Sequence, residues 1–192
     1  MQLFFAPGSS SMAPHIALHE IGVPFEPATI SLAANQQNSA EFLKLNPLGK
    51  VPVLLVDGQI LTEVAAILYF LARKHPQAGL FPNDDITQAA QCVSWMSYIA
   101  STLHPARGQG DAVAREIYAL ADGKLGPRQW VLDEYSIADI HLFRLYWRLR
   151  GSMHPDPSEF PNLEAHYQRM MQRPAVQKTI EVESAIGYEL PG

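Results

Sequence analysis

Apolar and polar positions follow two periods along this chain, and the balance between them changes once. Residues 2–5 (QLFF) read as a strand that stops at Ala6-Pro7-Gly8, since proline and glycine together interrupt a ladder. Residues 12–20 read as a helix. Ile16, Ala17, Leu18 and Ile21 supply its apolar faces, and Gly22 suits the left-handed position just past its end. Residues 25–30 look extended again. Residues 39–43 make a short helix that ends before Asn46-Pro47, because the residue ahead of a proline is pushed out of helical geometry. Residues 51–56 and 59–61 form a hairpin closed at Asp57-Gly58, a pair that accepts the positive φ angles of a tight turn. From Glu63 the period is helical, with Val64, Ile67, Leu68 and Leu71 on one face. The order is βαβ, a short helix, then ββα: a small mixed α/β domain over residues 1–76.

After it the pattern shifts. Residues 75–85 (HPQAGLFPNDD) concentrate Pro, Gly, Asn and Asp, which places a linker at residues 77–85. Beyond it no strand is expected, and residues 86–192 read as an all-helical domain. In residues 86–103 a stripe runs through Ile86, Ala90, Val93, Ser97, Ala100 and His104. Gly108-Gln109-Gly110 stops that helix, and Asp111 caps a short one ending near Asp122-Gly123. Residues 136–149 carry Ala138, Leu142, Leu145 and Leu149 in register behind Ser136-Ile137-Ala138-Asp139. That tetrapeptide is a capping box in which serine and aspartate satisfy each other's backbone amides. Phe160, Leu163, Tyr167 and Met170 mark another helix, and Pro174 starts the last.

Composition narrows the function classes. The chain has 192 residues, 47% apolar and 17% charged, so it can build a core. Its net charge of −5 without a basic run argues against nucleic acid or an anionic membrane as partner. A lone cysteine, Cys92, forbids an internal disulfide and fits a reducing compartment. The first residues lack the basic and long apolar regions of a signal peptide, and VPVLLV and AAILYFLA fall far short of the roughly 20 residues that span a bilayer. A cytoplasmic protein is expected.

Most catalytic motifs are absent as well. There is no Cys-x-x-Cys and no Gly-x-Ser-x-Gly, and Gly49-Lys50 lacks the rest of a phosphate loop. His15 and His19, four apart, have no third ligand nearby, so no metal is expected. Cys92 reads as a buried helix residue, and Trp95, Trp130 and Trp147 as core or interface.

A set of short motifs remains: Pro7-Gly8-Ser9-Ser10-Ser11, Asn46-Pro47-Leu48-Gly49-Lys50-Val51-Pro52, Leu61-Thr62-Glu63, Leu103-His104 and Ser136-Ile137-Ala138-Asp139. In this order and at these separations the chain resembles the cytosolic glutathione S-transferases nearly end to end, and is most similar to their bacterial beta class. The resemblance implies a thioredoxin-like first domain, a homodimer, and glutathione as co-substrate bound between the two domains. It also implies a cis Val51-Pro52 peptide, the only kind of bond for which cis is cheap, with the Val51 main chain turned toward an extended ligand.

Each implied site residue has a plainer reading beside it. Ser10 or Ser11 stabilises the glutathione thiolate through its hydroxyl at a helix N-terminus, or one of the serines simply caps that helix. Glu63 accepts from the free amino group of the γ-glutamyl arm while the Val64 amide binds its carboxylate, or Glu63 only favours the helix start. His104 donates to the sulfur, or complements a helix C-terminus. Ser97 lines the cleft. Beta-class enzymes usually carry cysteine where Ser10 stands, a small Ser or Gly where Val64 stands and Asn where Ser97 stands. The segment between His104 and Ser136 is also shorter than in those relatives, which opens the wall of the electrophile pocket. The implied activity is attack of the activated thiol on a small apolar electrophile. Alternatives are a non-catalytic glutathione-binding or protein-interaction member of the same fold, or a glutathione-dependent peroxidase.

Overall fold

The computed structural model describes residues 1–190; residues 191–192, the end of the expected helical segment, lie outside the described residues. The chain divides into two compact units.

The first unit opens with β1 (Gln2–Phe5), α1 (Met12–Ile21), β2 (Glu26–Thr29), α2 (Ala40–Leu45), β3 (Val53–Val56), β4 (Gln59–Thr62) and α3 (Val64–Lys74). The sheet order is β2-β1-β3-β4, with β1 parallel to β2 and antiparallel to β3, and β3 antiparallel to β4. This is the thioredoxin-like order. Register divides the side chains between two faces. Phe4 opposes Val53, and both pack with Ile30, Phe42 and Leu45 beneath α2. Leu3 opposes Leu54 on the other face, where Phe5 meets His15 of α1 with ring centroids 4.8 Å apart. Gly22 ends α1 in the left-handed conformation, φ 73°, as its position in the sequence suggests.

The second unit, His75–Arg173, is helical. The stretch expected to be a linker belongs to it. Leu80 and Phe81 are buried, and the Leu80 carbonyl accepts from the Ile137 amide at 2.9 Å. α4 (Ile86–Tyr98) passes through a π-helical turn (Ile99–Leu103) into α5 (His104–Ala106) and a 3₁₀ turn (Arg107–Gln109). Then come α6 (Asp111–Leu125), α7 (Ile137–Met153) and α8 (Pro161–Met171). One expectation needs correction. α6 runs through Asp122-Gly123 to Leu125 rather than forming a short helix, with Gly110 and not Asp111 at its cap. Within α4 and its continuation, Ile86, Ala90, Val93, Ser97, Ala100 and His104 are the exposed stripe. The core face is Cys92, Trp95, Met96, Ile99 and Leu103, so volume and not spacing chose the buried side.

The Ser136 capping box is present. The Ser136 hydroxyl accepts from the Ala138 amide at 3.3 Å, and Asp139 accepts from the Ser136 amide at 2.9 Å. Asp139, fully buried, also accepts from the Val131 amide at 2.8 Å and pairs with His166 Nε2 at 3.0 Å. No helix among the described residues is long and apolar enough to cross a membrane.

The last helix, α9 (Pro174–Ile186), belongs with the first unit, not with the helical domain that the sequence extends to its end. Its buried residues pack on α1, and Glu183 there is fully buried beside His15. An amphipathic helix carries no mark of which core its apolar face will join.

Candidate functional site

Three chain segments of the first unit meet at one end of the sheet, and strand register explains why. Phe4 and Thr62 both oppose Val53, so the loop after β1, the residues before β3 and the residue after β4 all leave the sheet at the same border. These segments carry Ser9-Ser10-Ser11, Val51-Pro52 and Glu63-Val64.

The Val51-Pro52 peptide is cis. The turn ahead of it is held by Asn46, whose amide donates to the Lys50 carbonyl at 2.7 Å and whose oxygen accepts from the Leu48 amide at 3.1 Å. Gly49 has φ +60°, and a Cβ there would lie 2.6 Å from Asn38 Oδ1, so both conformation and space require glycine.

The serines part company in the structure. Ser11 is fully buried. Its hydroxyl donates to the Ala6 carbonyl and accepts from the Ala6 amide, both at 3.1 Å, and meets the Ser9 hydroxyl at 2.7 Å. Ser11 therefore closes the loop between β1 and α1 and has no access to a ligand, which removes it from the pair of thiol-facing candidates. None of the α1 cap hydrogen bonds comes from its side chain, so the plain capping reading does not hold for it either. Ser10 is half-buried, and its hydroxyl donates to the Val51 carbonyl at 3.1 Å. The structure thus brings Ser10 and Val51 together.

Glu63 is exposed and has φ +66°, a left-handed conformation that costs a non-glycine residue about 1 kcal/mol or more. Its carbonyl accepts the Ile67 amide at 3.0 Å, so Glu63 stands at the start of α3 with its carboxylate outside. Val64 is buried, which leaves its main-chain amide as the group a ligand could use. Ser97 and His104 both lie exposed in the second unit, on either side of the π-helical turn. Such turns recur at functional positions because the extra residue re-aims the side chains beyond it. Among the described residues no cluster of three or more His, Cys, Asp or Glu could hold a metal ion.

Sequence reasoning missed Glu183. From α9 it accepts from the Gly8 amide at 2.6 Å and from His15 Nδ1 at 2.8 Å, which anchors the loop that bears Ser10. His15, set aside as a metal ligand, serves here, stacked against His19 at 4.9 Å. Burial, then the neighbouring His15 and Lys178, push the His19 pKa down to about 4. The only signal in the sequence was a glutamate on the apolar side of a helix, which many surface helices also show.

Comparison with known proteins bears on the whole chain. A family model described as glutathione S-transferase, N-terminal domain, matches residues 1–73, and one described as glutathione S-transferase, C-terminal domain, matches residues 95–174. The chain is 32% identical to glutathione S-transferase GST-4.5 of Xanthomonas campestris pv. campestris, over 95% of its own length and 98% of that protein's. It is 30% identical to glutathione S-transferase GstA of Escherichia coli O157:H7 over the same shares. Among solved structures, a sphingomonad glutathione S-transferase complexed with glutathione superposes with a TM-score of 0.85 at 34% identity, covering 96% of this chain and 99% of that one. The bacterial beta class enzyme of Sphingomonas chungbukensis gives 0.85 at 34%, with 95% and 98% covered. A thioredoxin-like first unit, a helical second one and similarity across nearly the full length of both chains lead to one conclusion: this chain belongs to the glutathione S-transferase family.

Proposed function

We propose that the chain binds glutathione along the Val51-Pro52 border of its first unit and activates the thiol for attack on a small apolar electrophile, with Ser10 as the hydroxyl that faces the sulfur. The carrying observation is the 3.1 Å contact between the Ser10 hydroxyl and the Val51 carbonyl, which sets the one accessible serine beside the main chain that an extended peptide would pair with. A thiol of pKa about 8.5 is mostly protonated at neutral pH, and each unit by which the site lowers it takes about 1.4 kcal/mol. A charge-assisted hydrogen bond from Ser10 and the N-terminus of α1 supply stabilisation on that scale.

In this reading Glu63 accepts from the γ-glutamyl amino group and the Val64 amide donates to that arm's carboxylate. Its support is the exposed carboxylate of a residue held in left-handed geometry at a helix start. His104 serves as a second donor and Ser97 as a lining residue. The reading takes the protein as a cytoplasmic homodimer. Serine at position 10 precludes a mixed disulfide with glutathione there, so conjugation is favoured over thiol exchange.

The test is retention on immobilised glutathione together with conjugation of 1-chloro-2,4-dinitrobenzene. Ser10→Ala should lower kcat/KM by about 10- to 100-fold, the value of one hydrogen bond to an anion. No retention with millimolar glutathione, or a Ser10→Ala variant as active as the parent, overturns the proposal.

A further inference from the structure

A fourth segment leaves the sheet at the border where Ser10 meets Val51. β2 runs parallel to β1 with Thr29 opposite Phe5, and the Ile30 amide donates to the Phe5 carbonyl at 2.7 Å. Residues 31–39 therefore emerge beside the loop that bears Ser10. Their far end lies against the turn ahead of the cis peptide. A Cβ on Gly49 would stand 2.6 Å from Asn38 Oδ1 and 3.1 Å from the Gln37 carbonyl oxygen, so a shift of Gln37 and Asn38 bears directly on the turn that leads into Val51.

That segment holds itself weakly. Its 3₁₀ turn (Gln36–Asn38) has no buried residue, and Asn35 takes a left-handed φ of 57°. Its internal side-chain hydrogen bonds are exposed: Gln36 accepts from the Ser31 amide at 2.8 Å, and Asn35 from Asn38 Nδ2 at 2.7 Å. Gln37 Oε1 is buried without a hydrogen-bond partner among the described residues, an uncompensated cost. A loop with few buried contacts and exposed hydrogen bonds opens easily.

The residues after α9 supply a tether. Gly187 has φ 103°, a conformation that glycine adopts without strain, and the chain turns there. Glu189 then reaches back to the loop after β2. Its Oε2 accepts from the Ala33 amide at 3.0 Å, and its two carboxylate oxygens share the Ser31 hydroxyl at 2.9 and 3.0 Å. Ser31 Oγ in turn accepts from the Ala34 amide at 3.0 Å. The Ala33 amide first, then the Ser31 hydroxyl, hold the Glu189 carboxyl below the usual carboxylate range, so these bonds are charge-assisted at neutral pH. Among the described residues, Glu189 is the side chain that hydrogen-bonds this loop from elsewhere in the chain. The last helix and its tail thus grip two loops of the border, Glu183 at Gly8 and Glu189 at Ser31 and Ala33.

We infer, on the proposed reading of the border, that Glu189 is a positioning residue for glutathione: it keeps residues 31–38 folded against Gly49, so the Val51 main chain is in place before the tripeptide arrives. Without the tether, binding must also order the loop, and affinity falls in proportion to the fraction of molecules already ordered. Chemistry at the sulfur is spared, since Glu189 bonds to Ser31 and Ala33 and not to Ser10.

The test is calorimetric titration of glutathione into the full-length parent and its variants, with steady-state kinetics beside it. Glu189→Ala should weaken glutathione about three- to tenfold and raise its KM alike, with kcat within about twofold and the melting temperature within about 3 °C. Glu189→Gln, which keeps an accepting oxygen without the charge, should fall between the parent and Glu189→Ala. Ser31→Ala should also weaken binding, and the double variant should lose less than the product of the two single effects, because both remove one contact. Without glutathione, amide hydrogen exchange in residues 31–38 should quicken about tenfold in Glu189→Ala while β3 stays protected. A parent that binds glutathione with a Glu189→Ala variant that binds it equally, loop exchange at the parent rate, or a loss of affinity seen only with a fall in melting temperature overturns the inference and leaves the border reading standing. A parent that binds no glutathione overturns the border reading, and the positioning role falls with it.

Discussion

Adjacent serines at the end of β1 have opposite physical fates. Ser11 both donates to and accepts from Ala6 in a fully dry loop, so its removal leaves a buried amide and carbonyl short of a partner. Ser11→Ala should cost about 1–3 kcal/mol in urea unfolding, whereas Ser10→Ala should leave stability within about 1 kcal/mol and act on turnover. Equal stability losses in the two variants would contradict this division. Cys92 is the other residue whose environment settles its chemistry. Burial pushes its thiol up to about 11, partly opposed by hydrogen bonds from Ser136 and Ala138. A protonated, inaccessible thiol is a poor nucleophile, so iodoacetamide at pH 8 should leave native Cys92 unmodified and react once denaturant is added.

At the level of elements, α7 is held from both ends of its chemistry. Its start rests on the capping box, and Ser136→Ala should cost about 1 kcal/mol, read as a lower urea midpoint with unchanged slope. Its middle buries His141, whose pKa falls to about 3 through burial first, then the charges of His104 and Arg144. His141 Nδ1 has no hydrogen-bond partner among the described residues. Above pH 6.5 the imidazole is neutral in both folded and unfolded chains and pH has no purchase on it. Below that value the unfolded chain takes a proton that the folded one refuses, so stability falls with acid down to about pH 3, the folded pKa. The slope is about 1.4 kcal/mol per pH unit. His141→Gln should flatten the loss between pH 7 and pH 5, and an unaltered pH profile would assign the acid sensitivity elsewhere. α8, in contrast, borrows its cap. Asp122 of α6 accepts from the Asn162 and Leu163 amides, each at 2.8 Å, a long-range contact that no local motif announces.

Across the whole molecule, the last helix is the element that a linear reading misassigns. α9 lies more than a hundred residues from the strand–helix loop it supports, yet Glu183 holds Gly8 and His15 in a site without water access. Removing a buried carboxylate strands both donors. Glu183→Ala should therefore lower stability by about 3–5 kcal/mol and weaken retention on immobilised glutathione through the displaced Ser10 loop. Full retention in a folded Glu183→Ala variant would show that the loop holds itself.

Short-range physics made much of this legible from residues alone. The Gly22 stop, the Asp57-Gly58 hairpin, the capping box at Ser136 and the period change after Glu63 depend on neighbours a few positions away, and those neighbours are in the string. Order and spacing of the same motifs carried the family. What the string leaves open is every choice between groups of equal local merit. Ser10 and Ser11 are chemically identical, and only burial separates them. The Ile86–His104 stripe and the Cys92–Leu103 face have similar spacing, and only packing volume decides which one dries. α9 could have covered either unit, and Glu183 reached its partners because chain folding, unlike sequence distance, brings residues 8 and 183 within one hydrogen bond. Desolvation is a property of surroundings, so the tertiary structure alone assigns it.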